Sequence, residues 1–261
     1  MKFETIDFHT HPFPTREYNI CNHIDWCNMS VENSEKTMRG LGVNKMCGSV
    51  IRIDELKENE TWWDRIRECN DAALELKKQY GDFYVPGFHV HPDYVAESIT
   101  EIDRMRAQGI RLIGELVPYL MGWQHYHGNG MDEILEYAAE KNMIVSIHAM
   151  DNDDMDEMVK AHPNTVIVAA HPNEYDDFMR HIARMKMSKN YYLDLSGYGL
   201  FRHGMLRRAI DEVGADRILY GSDFPTCNPA MYLGGVVLDE LVTDEEKELI
   251  LAGNAKRLLE L

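Results

Sequence analysis

Eight short runs rich in β-branched and aromatic residues recur along the chain, each followed by a longer stretch of helical periodicity, and this alternation restricts the fold more than any other feature. The runs are Phe3 to Phe8, Val43 to Ile51, Phe83 to Val90, Arg111 to Val117, Met143 to His148, Val166 to Ala170, Tyr191 to Leu195 and Arg217 to Tyr220. Helices are predicted near 30–40, 61–80, 93–108, 131–141, 153–161, 174–188, 203–213 and 243–260. In the second of these, Trp62, Ile66, Cys69, Ala73, Leu76 and Tyr80 recur every three or four residues, the stripe of a helix laid on a sheet. Parallel strands joined by crossover helices, eight times over, predict an α/β fold, a distorted TIM (β/α)8 barrel. The 261 residues suit one such barrel, and no Gly/Ser-rich linker or shift of composition divides them. Residues 1–261 are therefore read as a single domain.

The charge balance narrows the partners. A formal charge of −17, with no run of Lys or Arg, gives no electrostatic footprint for nucleic acid or an anionic membrane surface. No apolar stretch reaches the roughly 18–20 residues of a membrane span, and Met1, Lys2, Phe3 and Glu4 do not begin a signal core, so a cytoplasmic protein is expected. Cys21, Cys27, Cys47, Cys69 and Cys227 are odd in number and include no Cys-x-x-Cys pair, which argues for reduced thiols rather than a disulfide framework or a zinc knuckle. The 16 methionines are dispersed, as core filler is. The chain carries no dinucleotide or phosphate-binding glycine loop, no His-Glu-x-x-His and no nucleophile elbow.

The polar residues at the strand ends carry the chemistry. The first strand runs Ile6-Asp7-Phe8-His9-Thr10-His11, and alternation puts His9 and His11 on one face, about 7 Å apart along the strand. Glu115 ends the fourth run, His148 the fifth and His171 the sixth, while Asp223 follows the eighth. In a barrel these C-terminal strand ends meet at one rim. Any one of them alone reads as a hydrogen-bonded strand-end residue or a helix cap; together they keep the phase of the βα repeat from His9 to Asp223. Imidazoles and carboxylates without a thiolate suit Zn²⁺ first, and also Mn²⁺, Fe²⁺ or Co²⁺, in an open catalytic site rather than a closed structural one.

These residues resemble the metal-dependent amidohydrolase superfamily, in the amidohydrolase-related branch that contains aminocarboxymuconate semialdehyde decarboxylase-like proteins. The resemblance rests on Asp7-x-His9-x-His11, His148, His171, Gly221-Ser222-Asp223-Phe224-Pro225 and the closing Ile250-Leu251-Ala252-Gly253-Asn254-Ala255-Lys256-Arg257-Leu258-Leu259. It implies that His9, His11 and Asp223 hold a metal, that His148 is a further ligand, and that His171 is either a second-metal ligand or a catalytic acid/base. Glu115 resembles the strand-four glutamate that bridges two metals in TatD-like hydrolases. On that ground the expected activity is hydrolysis of an amide, ester or lactone of a small molecule by a metal-activated water, with Asp223 as base and then proton donor, and one or two ions bound. The alternative is a mononuclear lyase, a decarboxylase or hydratase of an unsaturated carboxylic acid, in which His171 moves the proton. Phosphodiester cleavage ranks lower because basic residues are lacking near the motifs. The resemblance also implies a homodimer.

Further candidates surround this set. Arg52 is read either as a partner for a substrate carboxylate or as a surface salt bridge. His89 is placed at the substrate pocket; His91 and Asp7 are placed behind the ligands, orienting them. Tyr119, Trp123 and Tyr198, just after strands, are pocket-wall candidates, and the loop 119–130 with His125 and His127 is expected to carry specificity. His23, His162, His181 and His203 are read as surface residues, and the acids from Asp151 to Glu157 as a helix N-terminus.

Overall fold

The computed structural model describes residues 2–21, 30–199 and 202–261, apart from the side chains of 31–33. His23 and Cys27 lie outside the described residues. Eight parallel strands form one sheet in chain order: β1 (Ile6–Thr10), β2 (Lys45–Ser49), β3 (Tyr84–Phe88), β4 (Leu112–Leu116), β5 (Ile144–His148), β6 (Val166–Ala170), β7 (Tyr191–Asp194) and β8 (Ile218–Leu219). The amide of Phe8 donates to the Tyr220 carbonyl at 2.9 Å and that of His11 to the Phe224 carbonyl at 2.6 Å, so β1 meets the continuation of β8. The sheet thereby becomes a single-domain TIM barrel.

The helices between strands are α1 (Val31–Gly40), α2 (Trp62–Tyr80), α3 (Val95–Arg106), α4 (Gly130–Glu140), α5 (Asn152–Ala161), α6 (Tyr175–Met187) and α7 (Met205–Val213). Local chemistry fixes their starts. Thr61 and Asp64 form a capping box on α2, Asn129 accepts from the Met131 amide, and Asp151 accepts from the amides of Asp153 and Asp154, satisfying orphan donors of the first turn. After β8 comes α8 (Pro229–Val237), for which the sequence gives no amphipathic signal: Pro-Ala-Met-Tyr-Leu-Gly-Gly-Val-Val has no polar face. The predicted closing helix is divided into α9 (Asp244–Glu248), a π turn (Leu249–Gly253) and α10 (Asn254–Leu259).

That C-terminal segment packs Ala252, Ala255, Leu258 and Leu259 into one apolar cluster with Ile6, Phe8, Cys47, Leu112, Ile144, Val168 and Leu219 of the strands. Buried Asn254 donates to the carbonyls of Ala215 and Ile218, both at 2.7 Å, and ties α10 to the start of β8. The larger cluster fills the layer between the sheet and α3 to α8, with Ile113, Val145, Ile147, Ile167, Ala169 and Leu193 facing Ile134, Met158, Ile182, Leu206 and Val236.

Two of the histidines expected at the surface are buried. His181 shares the inner face of α6 with Phe178, Ile182 and Met185, and its Nδ1 lies 2.8 Å from the Tyr191 hydroxyl. His162 follows α5 and packs against α4, its Nε2 2.8 Å from Asp132 Oδ1. Exposed His203 is at the surface as expected.

Burial, with Arg184 adding to it, pushes the His181 pKa down to about 3. In the unfolded chain an imidazole titrates near 6.5, so between pH 6.5 and 3 the unfolded state binds the extra proton and stability falls as pH falls. The stability advantage of the native protein over His181→Asn should therefore shrink by up to about 1.4 kcal/mol per pH unit below 6.5. Urea unfolding of both proteins at pH 7.5 and 5 measures it, and a constant difference would refute it.

Candidate metal centre

The strand ends bring six of the sequence candidates within reach of one another. His9 Nε2 and His11 Nε2 lie 3.3 Å apart, and each lies 3.2 Å from Glu115 Oε2. Asp223 Oδ1 completes this group at 3.8 Å from His9 Nε2 and 3.5 Å from His11 Nε2. The other oxygen of the same carboxylate faces a second group: Glu115 Oε1 is 2.9 Å from His148 Nδ1 and 3.4 Å from His171 Nε2, and those two nitrogens are 3.2 Å apart. Bonds of 2.0–2.1 Å around a tetrahedral zinc place neighbouring donors roughly 3.3 Å from each other. The separations in both groups fit a cation of that class, as do the nitrogen and oxygen donors.

The electrostatics are those of a buried charge cluster. Glu115 is buried, yet the nearby His9 and His148 outweigh the desolvation and hold its carboxyl well below the ordinary range. Burial alone would lower His9; Glu115 and Asp194 instead raise it well above an ordinary imidazole, and Glu115 raises His171 in the same way. A divalent cation would replace the protons these imidazoles otherwise hold.

Backbone form is as specialised as the side chains. His171 and Asp223 both sit at positive φ, 69° and 59°, a region that β-branched and bulky residues avoid. Gly114, at φ 92°, is required beside Glu115 because a Cβ there would come within 2.2 Å of the Ser146 carbonyl oxygen. At Gly197 a Cβ would meet the His171 ring at 2.1 Å. Asp7 holds the two ends of the closure together: its Oδ1 accepts from the amides of Ser222 at 3.0 Å and His9 at 3.3 Å, and burial pushes its carboxyl up to about 7.

The sequence reading missed Asp194 and Ser196. Asp194 Oδ2 lies 3.0 Å from His9 Nδ1, and Ser196 Oγ lies 3.1 Å from His171 Nδ1 while donating to Asp194 Oδ1. With Nδ1 of each ring protonated toward this pair, Nε2 of each presents its lone pair to the centre, one ring in each donor group. The signal was present in Tyr192-Leu193-Asp194-Leu195-Ser196, where polar residues alternate past the strand end on one face. Tyr126, also missed, sets its hydroxyl 2.9 Å from the Leu116 carbonyl and 3.0 Å from that of His148, joining β4 to β5 beneath the centre.

Other candidates lie at different distances from it. Tyr119, more than half exposed, stands with its ring centroid 5.5 Å from that of His148, at the mouth. Tyr198 is exposed and follows β7. His89 is buried, its Nε2 2.9 Å from the Val50 carbonyl and its Nδ1 without a partner among the described residues; burial lowers it to about 4, so it is neutral. His91 and Trp123 pack under the loop instead: His91 Nε2 is 2.9 Å from the Met121 carbonyl, its Nδ1 accepts from the Asp93 amide, and the two rings meet edge to face. Arg52 is held by carboxylates, its Nε donating to Asp54 at 2.9 Å and Nη1 to Glu68 at 2.6 Å. These ion pairs of Arg52 are made by a buried guanidinium rather than at the surface. Cys47 and Cys227 are not activated, since burial pushes both thiols up.

A barrel with this rim gathers donors that suit a divalent cation. A family model described as Amidohydrolase matches residues 6–261, and the chain belongs to the amidohydrolase family. Among solved structures it is similar to an uncharacterized TIM-barrel protein from Bordetella bronchiseptica (19% identity, TM-score 0.77, 99% of each chain) and to 2,6-dihydroxybenzoate decarboxylase from Rhizobium (13%, 0.72, 99% of each). It is also similar to a probable 2-pyrone-4,6-dicarboxylic acid hydrolase from Acinetobacter baumannii (16%, 0.70, 99% of this chain and 100% of that one). Among curated proteins none matches this chain.

Replacing Asp194 with Asn removes the carboxylate that orients His9 while leaving the donor atoms in place. Metal affinity, read by competition with a chromogenic chelator, should fall about 10–100-fold with unchanged circular dichroism. Equal affinity in the two proteins would remove Asp194 from this role.

Proposed function

We propose that the protein is a metal-dependent hydrolase that uses two divalent ions on an amide, ester or lactone of a small molecule. The observation that carries this reading is the division of Glu115, whose Oε2 lies beside His9 and His11, the two rings that Asp223 also approaches, while Oε1 lies beside His148 and His171. One carboxylate shared between two donor groups is what a bridging ligand requires. Bound there, divalent ions, zinc foremost, would polarise a carbonyl oxygen and bring the pKa of a water ligand to about 7.

The chain's own residues would then divide the work. Asp223, whose side chain is more exposed than those of His9, His11 and Glu115, takes the proton from the attacking water and returns it to the leaving group. Its position is fixed by the amide hydrogen bond to the His9 carbonyl at 2.9 Å. Asp194 and Ser196 keep His9 and His171 in register. Tyr119 at the mouth offers an apolar face with a hydroxyl, suited to a substrate with an unsaturated or aromatic part.

A second reading, a mononuclear decarboxylase, is favoured by the likeness to 2,6-dihydroxybenzoate decarboxylase. It needs recognition of a substrate carboxylate, and the engagement of Arg52 with Asp54 and Glu68 weighs against it.

The test is metal content by elemental mass spectrometry on the native protein and Glu115→Gln. About two ions per chain falling to about one supports the hydrolase; about one in both supports the lyase. Activity follows on p-nitrophenyl esters, lactones and anilides, with carbon dioxide release from 2,6-dihydroxybenzoate as the contrary assay. On whichever substrate turns over, Asp223→Asn should retain the fold and part of the metal and lose at least about 10²-fold in kcat, as removal of a general base does. Full activity in Asp223→Asn would overturn its role as base.

A further inference from the structure

A third set of donors lies on the outer face of the barrel and shares no residue with the centre at the rim. His127 Nδ1 is 2.9 Å and His162 Nε2 is 2.8 Å from the same oxygen, Asp132 Oδ1, and the three atoms lie within 4.8 Å of one another. The residues come from separate segments: the loop before α4, the first turn of α4, and the residue after α5. Their backbones are held independently of the cluster, since Asn129 caps α4 and donates to the His125 carbonyl, and the His162 amide donates to the Met158 carbonyl. The remaining oxygen, Asp132 Oδ2, accepts from the Gly128 amide at 2.9 Å, which orients the carboxylate. Against the burial that would raise it, the hydrogen bonds from His162 and His127 hold the Asp132 carboxyl below its usual range.

The surroundings add a second observation. A cavity of about 430 Å³ reaches the cluster at His162 alone and is lined besides by Glu136, Glu140, Asn164 and Thr165. Glu136 and Glu140 stand one and two turns along α4 from Asp132, so the approach to His162 is acidic and open. The two carboxylates beside His162 give an approaching cation a favourable field.

We propose that His127, Asp132 and His162 form a separate, non-catalytic site for a late first-row divalent cation, of which zinc is the representative. Two imidazoles and one carboxylate are poor ligands for calcium or magnesium, which prefer all-oxygen shells, and good ones for zinc. An ion held there clips the loop 119–130 to the turn between α5 and β6.

The experiment is equilibrium dialysis of the metal-replete, full-length protein against free zinc up to about 100 μM, a range that reveals sites of micromolar affinity. Native protein, His127→Ala and Asp132→Asn are compared. The native protein should hold one zinc more per chain than either variant, and zinc should raise its melting temperature more than that of His127→Ala. His127 is partly exposed, so its truncation leaves the fold in place, which circular dichroism checks. Equal zinc counts in all three proteins, or an excess that survives in both variants, would overturn the site. The result is a difference between proteins with the same rim, so it stands apart from the number of ions at His9 to Asp223, and the rim count for native protein and Glu115→Gln is taken in the His127→Ala background so that an ion held here is not counted with it.

Discussion

A carboxylate buried in a barrel rim is stable only where positive charge meets it, and Glu115 is the group on which the arrangement of this centre depends. Desolvation would drive it to the neutral acid; instead imidazoles from β1 and from the ends of β5 and β6 gather around its two oxygens. The requirement runs in both directions. His9 and His171 are tilted toward their charged forms by the same carboxylate, His9 by Asp194 as well, so the site gathers charge that a divalent cation can neutralise.

The scaffold devotes local distortion to this end. Gly114 admits the turn of backbone that delivers Glu115, and His171 and Asp223 adopt conformations that side chains ordinarily avoid. Behind them, Asp7 ties β1 to the segment after β8 through two amides, and the Asp194–Ser196 pair reaches a ring in each donor group. The ligands are thus positioned by a second layer of polar contacts rather than by packing alone.

Much of this was legible in the sequence, for physical reasons that also mark the limits. The period-two alternation in Asp7-x-His9-x-His11 and the regular recurrence of a polar residue at each strand end place six residues on one rim because barrel geometry is repetitive. Asp194 was hidden because its strand end looks like any capping carboxylate, and its partner His9 is 185 positions away. Arg52 was ambiguous because its carboxylate partners are decided by how the β2 to α2 connection folds back. His181 could have been read correctly, since positions 178, 181, 182 and 185 share a helical face, but its polar type suggested the surface. Helix α8 escaped because a nearly all-apolar segment with two glycines has no periodic face to detect.

The closure between β1 and the segment after β8 has a further consequence for how the protein comes into being. Synthesis runs from the N-terminus, so His9 and His11 leave the ribosome more than two hundred residues before Asp223, and Asn254, which fastens the carbonyls leading into β8, comes still later. One edge of the first strand stays unpaired until the segment after β8 is available to join it. The centre therefore depends on chain beyond its own ligands: a chain that stops short of α10 keeps all six candidate ligands and lacks the segment that fastens β8, which completes the ring around them.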